Sequence, residues 1–192
     1  MLLALDVGNT NITLGVFDGD KLLFSSRLAT DTARMEDQYA LEIRDILHLY
    51  GVVRGDITGA VLSSVVPKLT GYLSHVVERH FSCKPLVIGY ETCKDVLPIA
   101  IDHPETTGPD LIAGCVGAKA LHACPCIVVD MGTATTLVVL DKEGAMVGGA
   151  IVPGMGISLD ALTQRAALLS SVSLDPPAHV VGRDTAECLQ SG

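Results

Sequence analysis

An aspartate-glycine turn occurs twice in this chain, at matching points of its two halves, and that repeat narrows the fold more than any other feature. The first copy is Leu5-Asp6-Val7-Gly8-Asn9-Thr10 and the second is Val129-Asp130-Met131-Gly132-Thr133-Ala134-Thr135. In each, an apolar run delivers an aspartate, a glycine permits a tight turn, and short polar side chains follow. A second apolar run leads away, Ile12 to Phe17 in one copy and Thr136 to Leu140 in the other. Both copies therefore read as strand, turn, strand. Such a turn lets backbone N–H groups approach a phosphate, and the aspartate can hold a hydrated divalent ion beside it. Alone, either aspartate would read as the end of a strand. Repeated in register, the pair points to a nucleotide site between two lobes.

The rest of the chain fits two unequal halves. Leu2 to Asp6, Ile12 to Phe17 and Lys21 to Arg27 form an antiparallel meander with Asp18-Gly19-Asp20 as a connecting turn. From Thr30 the period changes, and Ala40, Ile43, Leu47 and Tyr50 share one face of a helix that Gly51 can end. Gly59 to Val66 reads as a buried strand stopped by Pro67. Leu69, Leu73, Val76, Val77 and His80 mark a second helix, and Pro85 to Ile88 a further strand. Three strands, helix, strand, helix, strand is the order of a ribonuclease-H-like half-domain, the unit duplicated in the actin, sugar kinase and Hsp70 ATPase superfamily. A helix over Thr106 to Leu121, opening near Gly108-Pro109-Asp110 and with Ile112, Cys115, Val116 and Lys119 following, would connect the lobes. The second half then repeats the meander over Ile127 to Met131, Thr135 to Leu140 and Ala145 to Ile151, followed by a helix from Ser158 to Leu169. After Val172 to Val181 only a short helix, Asp184 to Gln190, remains. The expected architecture is α/β: duplicated ribonuclease-H-like (actin-like ATPase) domains over residues 1–117 and 118–192, the second apparently truncated.

Composition excludes several classes. The hydrophobic fraction is 48%, but no apolar block approaches the roughly 18 residues of a membrane span. The first residues enter strand-like sequence without a signal peptide, so a soluble cytoplasmic protein is expected. A net charge of −9 without a Lys/Arg cluster argues against a nucleic-acid partner. The six cysteines mostly sit in or beside apolar segments and read as reduced thiols. Cys124-Pro125-Cys126 with His122 lacks both the usual zinc spacing and a second pair.

Six blocks carry a family resemblance. Asp6-x-Gly8-Asn9-Thr10, Ser63-Ser64-Val65-Val66-Pro67, Gly108-x-Asp110, Asp130-x-Gly132-Thr133-Ala134-Thr135, Gly148-Gly149-Ala150-Ile151-Val152-Pro153-Gly154 and Gly182-x-Asp184-Thr185 occur in the order seen in type III pantothenate kinases. The resemblance covers essentially the whole chain. It implies ATP-dependent phosphorylation of pantothenate, the first step of coenzyme A biosynthesis, by a homodimer that needs Mg2+ and K+ or NH4+. The segment Asp6, Val7, Gly8, Asn9, Thr10, Asn11, Ile12, Thr13 resembles the first phosphate loop, with Asp6 orienting Mg-ATP. Asp130 resembles the monovalent-cation ligand and Thr133 an ATP contact. Gly108, Pro109, Asp110 and Leu111 occupy the pantothenate-binding segment, with Asp110 in the place of the catalytic base. Thr185 resembles a pantothenate contact from the partner subunit.

The chemistry agrees with these roles. An alcohol attacking a phosphoryl group needs a carboxylate to take its proton and cations to hold the phosphate oxygens. A helix N-terminus at Asp110 would favour the carboxylate anion. Two positions depart from the family pattern: Leu111 stands where an arginine binds the pantothenate carboxylate, and Ile101 where a tyrosine is common. Leucine cannot make a bidentate contact. A kinase for another hydroxylated small molecule, or a non-catalytic nucleotide-binding paralogue, are therefore the alternatives. Bland readings remain beside the functional ones: Asp110 as a first-turn helix residue and Asp184 or Thr185 as a helix cap.

Overall fold

In the computed structural model, which describes residues 1–166 and 168–192, β1 (Leu2–Val7) lies at the centre of the larger sheet. It pairs antiparallel with β2 (Asn11–Asp18), which pairs antiparallel with β3 (Lys21–Ala29). On its other side it pairs parallel with β4 (Gly59–Ser64), and β4 with the two-residue β5 (Leu86–Val87). The sheet order is β3-β2-β1-β4-β5. The antiparallel opening and the element order both follow the sequence expectation.

Alternation gives β1 two faces. Leu3, Leu5 and Val7 are buried together with Ile12, Leu14 and Val16 of β2 and Leu62 of β4. Two helices join this core. α1 (Glu36–Leu49) contributes Tyr39, Ile43 and Leu47, and α2 (Pro67–Phe81) contributes Leu69, Leu73, Val76, Val77 and Phe81. Each fully buried aliphatic side chain here is worth about 1.5–3 kcal/mol relative to exposure. α1 begins where the Met35 N–H donates to Gln38 Oε1 at 2.8 Å and ends before Gly51, whose φ of 73° only glycine adopts freely. α2 starts with Pro67 at its first turn, where a missing N–H costs nothing.

Several details differ from the sequence reading. Tyr39, rather than Ala40, anchors α1, because its hydroxyl also donates to Asp31 O at 2.8 Å and accepts from Asp31 N–H at 3.0 Å. Phe81 takes the core position expected for His80. A one-turn helix, α3 (Tyr90–Cys93), was not expected. The next helix, α4 (Pro109–Leu121), opens at Gly108 and Pro109 as expected, while before it 104–106 is a 3-10 turn and Thr107 is extended. Ile112 and Cys115 are its buried residues.

β6 (Cys126–Met131), β7 (Ala134–Leu140) and β8 (Met146–Pro153) form a three-stranded sheet in that order. α5 (Met155–Arg165) follows, and α6 (Thr185–Ser191) is the last element. The helix expected over Ser158 to Leu169 includes Ala167, which lies outside the described residues. The chain divides into two compact units, Met1–Cys126 with Leu140–Val147, and Ile127–Val139 with Gly148–Gly192. In the first, Met146 bridges to Ile99 and exchanges backbone bonds with Pro98 and Ala100. In the second, Ile127, Val129 and Met131 of β6 and Ile151 of β8 are all more than half exposed, and α5 has no buried residue. Among the described residues no helix is long and apolar enough to cross a membrane.

Candidate active site

The first phosphate-loop candidate is the hairpin turn joining β1 to β2. The Gly8 N–H donates to Asn11 O at 2.9 Å, which closes a loop of Gly8, Asn9 and Thr10. Val7 and Ile12 are buried on either side and fix the register, so Asn9, Thr10 and Asn11 stay exposed. Thr30 clamps the loop from outside. Its N–H donates to Thr10 O at 3.0 Å and its hydroxyl to Gly8 O at 2.7 Å. Sequence reasoning assigned Thr30 no role beyond marking a change of period.

Asp6 points away from the core formed by its neighbours Leu5 and Val7 and is exposed. It pairs in register with Thr13 on β2 and with Ser63 on β4. Residues in one register row share a face of the sheet, so Thr13, Asp6 and Ser63 form a polar row across three strands. All three line a cavity of about 280 Å³, whose apolar wall includes Ala4, Val61, Phe17 and Ala113. Ser63 is 5% exposed, and its buried hydroxyl has no hydrogen-bond partner.

Ala113 belongs to α4 and lies one turn after Asp110, so the two occupy the same side of the helix. Gly108 is the N-cap of α4, and Asp110 sits in its first turn with Oδ1 accepting from the Leu111 N–H at 2.9 Å. Gly108 is needed for space: a Cβ there would collide with Asp110 Oδ1. Leu111 and Ile101 are both half-buried. Behind them, burial, and then the neighbouring Cys126, pushes the Cys115 thiol up to about 11. That thiol stays neutral near pH 7 and packs as a small apolar side chain. Cys115, Cys124 and Cys126 are all free thiols.

The second unit holds the repeated turn. Asp130 is exposed near the end of β6, and Gly132 and Thr133 alone separate β6 from β7. The Gly132 N–H donates to Ala134 O at 3.0 Å, so this turn is one residue shorter than the first. Gly154 packs directly on it: its N–H donates to Thr133 O at 3.1 Å, and a Cβ there would lie 2.5 Å from that oxygen. The glycine-rich block after β8 is therefore support for the Thr133 turn, a pairing that sequence spacing could not reveal. Thr185 is the exposed first residue of α6. Asp184 is the cap, accepting from the Glu187 N–H at 2.8 Å.

Asp6, Thr13, Gly108 and Asp110 thus belong to one compact unit and Asp130, Thr133 and Thr185 to the other. Two larger hollows, of about 350 and 390 Å³, lie beside α1 and α2 and share Arg44, Arg54 and Phe81. They contain none of these residues, and Arg54 is already spent on Arg79 O and Ser82 Oγ at the end of α2.

The family model described as type III pantothenate kinase matches residues 2–192. A type III pantothenate kinase of Moorella thermoacetica is 44% identical over 192 residues, all of this chain and 75% of that protein. One from Paramagnetospirillum magneticum is 43% identical, again over all of this chain and 74% of its own length. Among solved structures, a "putative 2-dehydro-3-deoxygalactonokinase protein" from Sinorhizobium meliloti aligns with a TM-score of 0.55 at 14% identity, covering 88% of this chain and 58% of that one. A "conserved putative Baf family transcriptional activator" from Campylobacter jejuni aligns with a TM-score of 0.52 at 18% identity, over 98% and 72%. At such identities the structural likeness speaks for the fold alone and not for activity. The sequence match, over residues 2–192 for the family model and over all of this chain for the relatives, goes further: this chain belongs to the type III pantothenate kinase family.

Proposed function

We propose that Asp110 is the base in this chain's reaction, the transfer of the ATP γ-phosphoryl group to the primary hydroxyl of pantothenate. The hydroxyl oxygen attacks phosphorus, its proton passes to the Asp110 carboxylate, and ADP leaves in line with the new bond. The observation that carries this reading is that Asp6 and the helix of Asp110 meet at one cavity. Asp6 lies in the wall of a cavity that α4 helps to line, one turn from Asp110.

Within that reading the loop from Asp6 to Thr13 binds the ATP phosphates. Asp6, flanked by the hydroxyls of Thr13 and Ser63, offers only oxygen donors, the set that would suit the hydrated Mg2+ of Mg-ATP. Asp130 holds K+ or NH4+, and Thr133 contacts ATP. A carboxylate beside turn carbonyls and hydroxyls suits a monovalent cation. Gly108, Pro109 and Leu111 contact pantothenate, and Thr185 does so across a homodimer. The protein acts in the cytoplasm. Because Leu111 supplies no guanidinium, the pantothenate carboxylate is held without the bidentate partner usual in the family.

Two outcomes check these assignments. Asp130→Ala should remove the stimulation of turnover by potassium while leaving the unfolding midpoint nearly unchanged. A variant still stimulated as strongly as wild type would reassign the cation. Gly108→Ala should force the Asp110 carboxylate to turn aside, since its side-chain end can move where the helix backbone cannot. A displacement near 1 Å costs on the order of 100-fold in rate, whereas exchanging a glycine cap for alanine costs about 1 kcal/mol of stability. Steady-state kinetics and a denaturation curve on the same sample separate the two effects.

A further inference from the structure

Among the described residues, Ser63 is the one buried polar residue, on a strand that the sequence reads as buried. Its side chain is 95% buried, on the same 5% exposure already noted, and its hydroxyl has no partner. A hydroxyl buried without a hydrogen bond is destabilising by roughly 1–3 kcal/mol. An alanine would fit the same space without that cost, so packing alone gives no reason for serine here. The neighbouring Ser64 shows the contrast. Its hydroxyl accepts from the Val66 N–H and bonds Val66 O, both at 3.2 Å, and Thr70 Oγ1 lies 2.8 Å from it.

The position of Ser63 says what it would meet. It stands beside Asp6 in the register of β1 and β4 and lines the cavity that also receives Ala113 of α4. It therefore lies beside the strand that carries Asp6 and at a cavity that α4, the helix of Asp110, also lines; in the proposed reading of those two aspartates, the transferred phosphoryl group passes close to it. We infer that the Ser63 hydroxyl donates a hydrogen bond to an oxygen of the γ-phosphoryl group of bound ATP, making it a substrate-binding residue of the polar row Thr13, Asp6, Ser63. The inference rests on the reading of Asp6 as the Mg-phosphate residue. It assigns to Ser63 the terminal phosphoryl group in particular, so ADP, which lacks that group, should not engage it.

The test compares Mg-ATP and Mg-ADP binding by calorimetry to the full 192-residue chain, as wild type, Ser63→Ala and Asp6→Asn. A hydrogen bond to a charged oxygen predicts that Ser63→Ala weakens Mg-ATP about tenfold or more. Mg-ADP affinity should be unchanged, and the thermal midpoint equal to or above wild type. Equal weakening of both nucleotides, no weakening of either, or a lowered midpoint would each overturn the inference. Asp6→Asn should weaken both nucleotides. If it weakens neither, the reading of Asp6 fails, whatever Ser63→Ala does.

Discussion

Asp110→Asn should lower kcat for pantothenate phosphorylation by about 100- to 10,000-fold, the usual contribution of a positioned general base. That range corresponds to roughly 3–5 kcal/mol of transition-state stabilisation. Asparagine matches aspartate in shape, and its side-chain oxygen can keep the bond from the Leu111 N–H that Asp110 Oδ1 now accepts. The start of α4 should therefore survive, and with it the packing of Ile112 and Cys115. Affinity for Mg-ATP should change little, because the phosphates are assigned to the Asp6 turn on other strands. The decisive readout is the split between kcat and nucleotide affinity. A fall in both together with a lowered unfolding midpoint would mean that Asp110 mainly holds the helix. Unchanged kcat would remove the base assignment altogether.

Gly154→Ala should be among the most damaging single-methyl changes in the second unit. The added carbon would lie 2.5 Å from Thr133 O and 2.9 Å from the Thr133 carbonyl carbon, and it would also meet Gly132 O. These are backbone atoms of a two-residue turn, so no side chain can swing aside. Overpacking of this kind costs about 1–3 kcal/mol, and losing the bond from the Gly154 N–H to Thr133 O adds roughly 0.5–1.5 kcal/mol. The backbone angle of Gly154 is not the cause, since its φ of −70° suits any residue. Chemical denaturation should show the lost stability, and potassium-dependent turnover should fall because the Asp130 turn is displaced. Gly156→Ala is the natural control, having open space around the added carbon. Equal effects from the two substitutions would mean that helix α5, and not the turn, responds to the added methyl.

How much of this was legible in the sequence depended on whether the information was local. The two Asp-x-Gly turns were readable because strand, glycine and hydroxyl residues follow one another directly, and both copies are hairpin turns. That the second turn is one residue shorter was not readable, since small polar residues fit either length. The buried stripe of α2 followed from spacing. The choice of Tyr39 over Ala40 in α1 did not, because it depends on a hydroxyl bond to Asp31. The opening of α4 at Gly108-Pro109-Asp110 was legible because proline suits a first helical position, whereas the 3-10 turn over 104–106, set off by the extended Thr107, was not.

Among the candidate site residues, Asp6, Asp110 and Asp130 stood out by motif. Ser63 lay inside a recognised block yet received no role, because its importance comes from register with Asp6 across two strands. Gly154 and Thr133 are 21 positions apart in sequence, and only the folded chain brings their backbones together.

The most direct measurement is product formation from pantothenate and Mg-ATP by the purified 192-residue chain, with and without potassium, beside the Asp110→Asn variant. The expected result is 4'-phosphopantothenate from the wild-type chain, more of it with potassium, and almost none from the variant. ATP turnover with a different alcohol and none with pantothenate would contradict the substrate assignment. Bound nucleotide with no transfer to any alcohol would contradict the kinase itself.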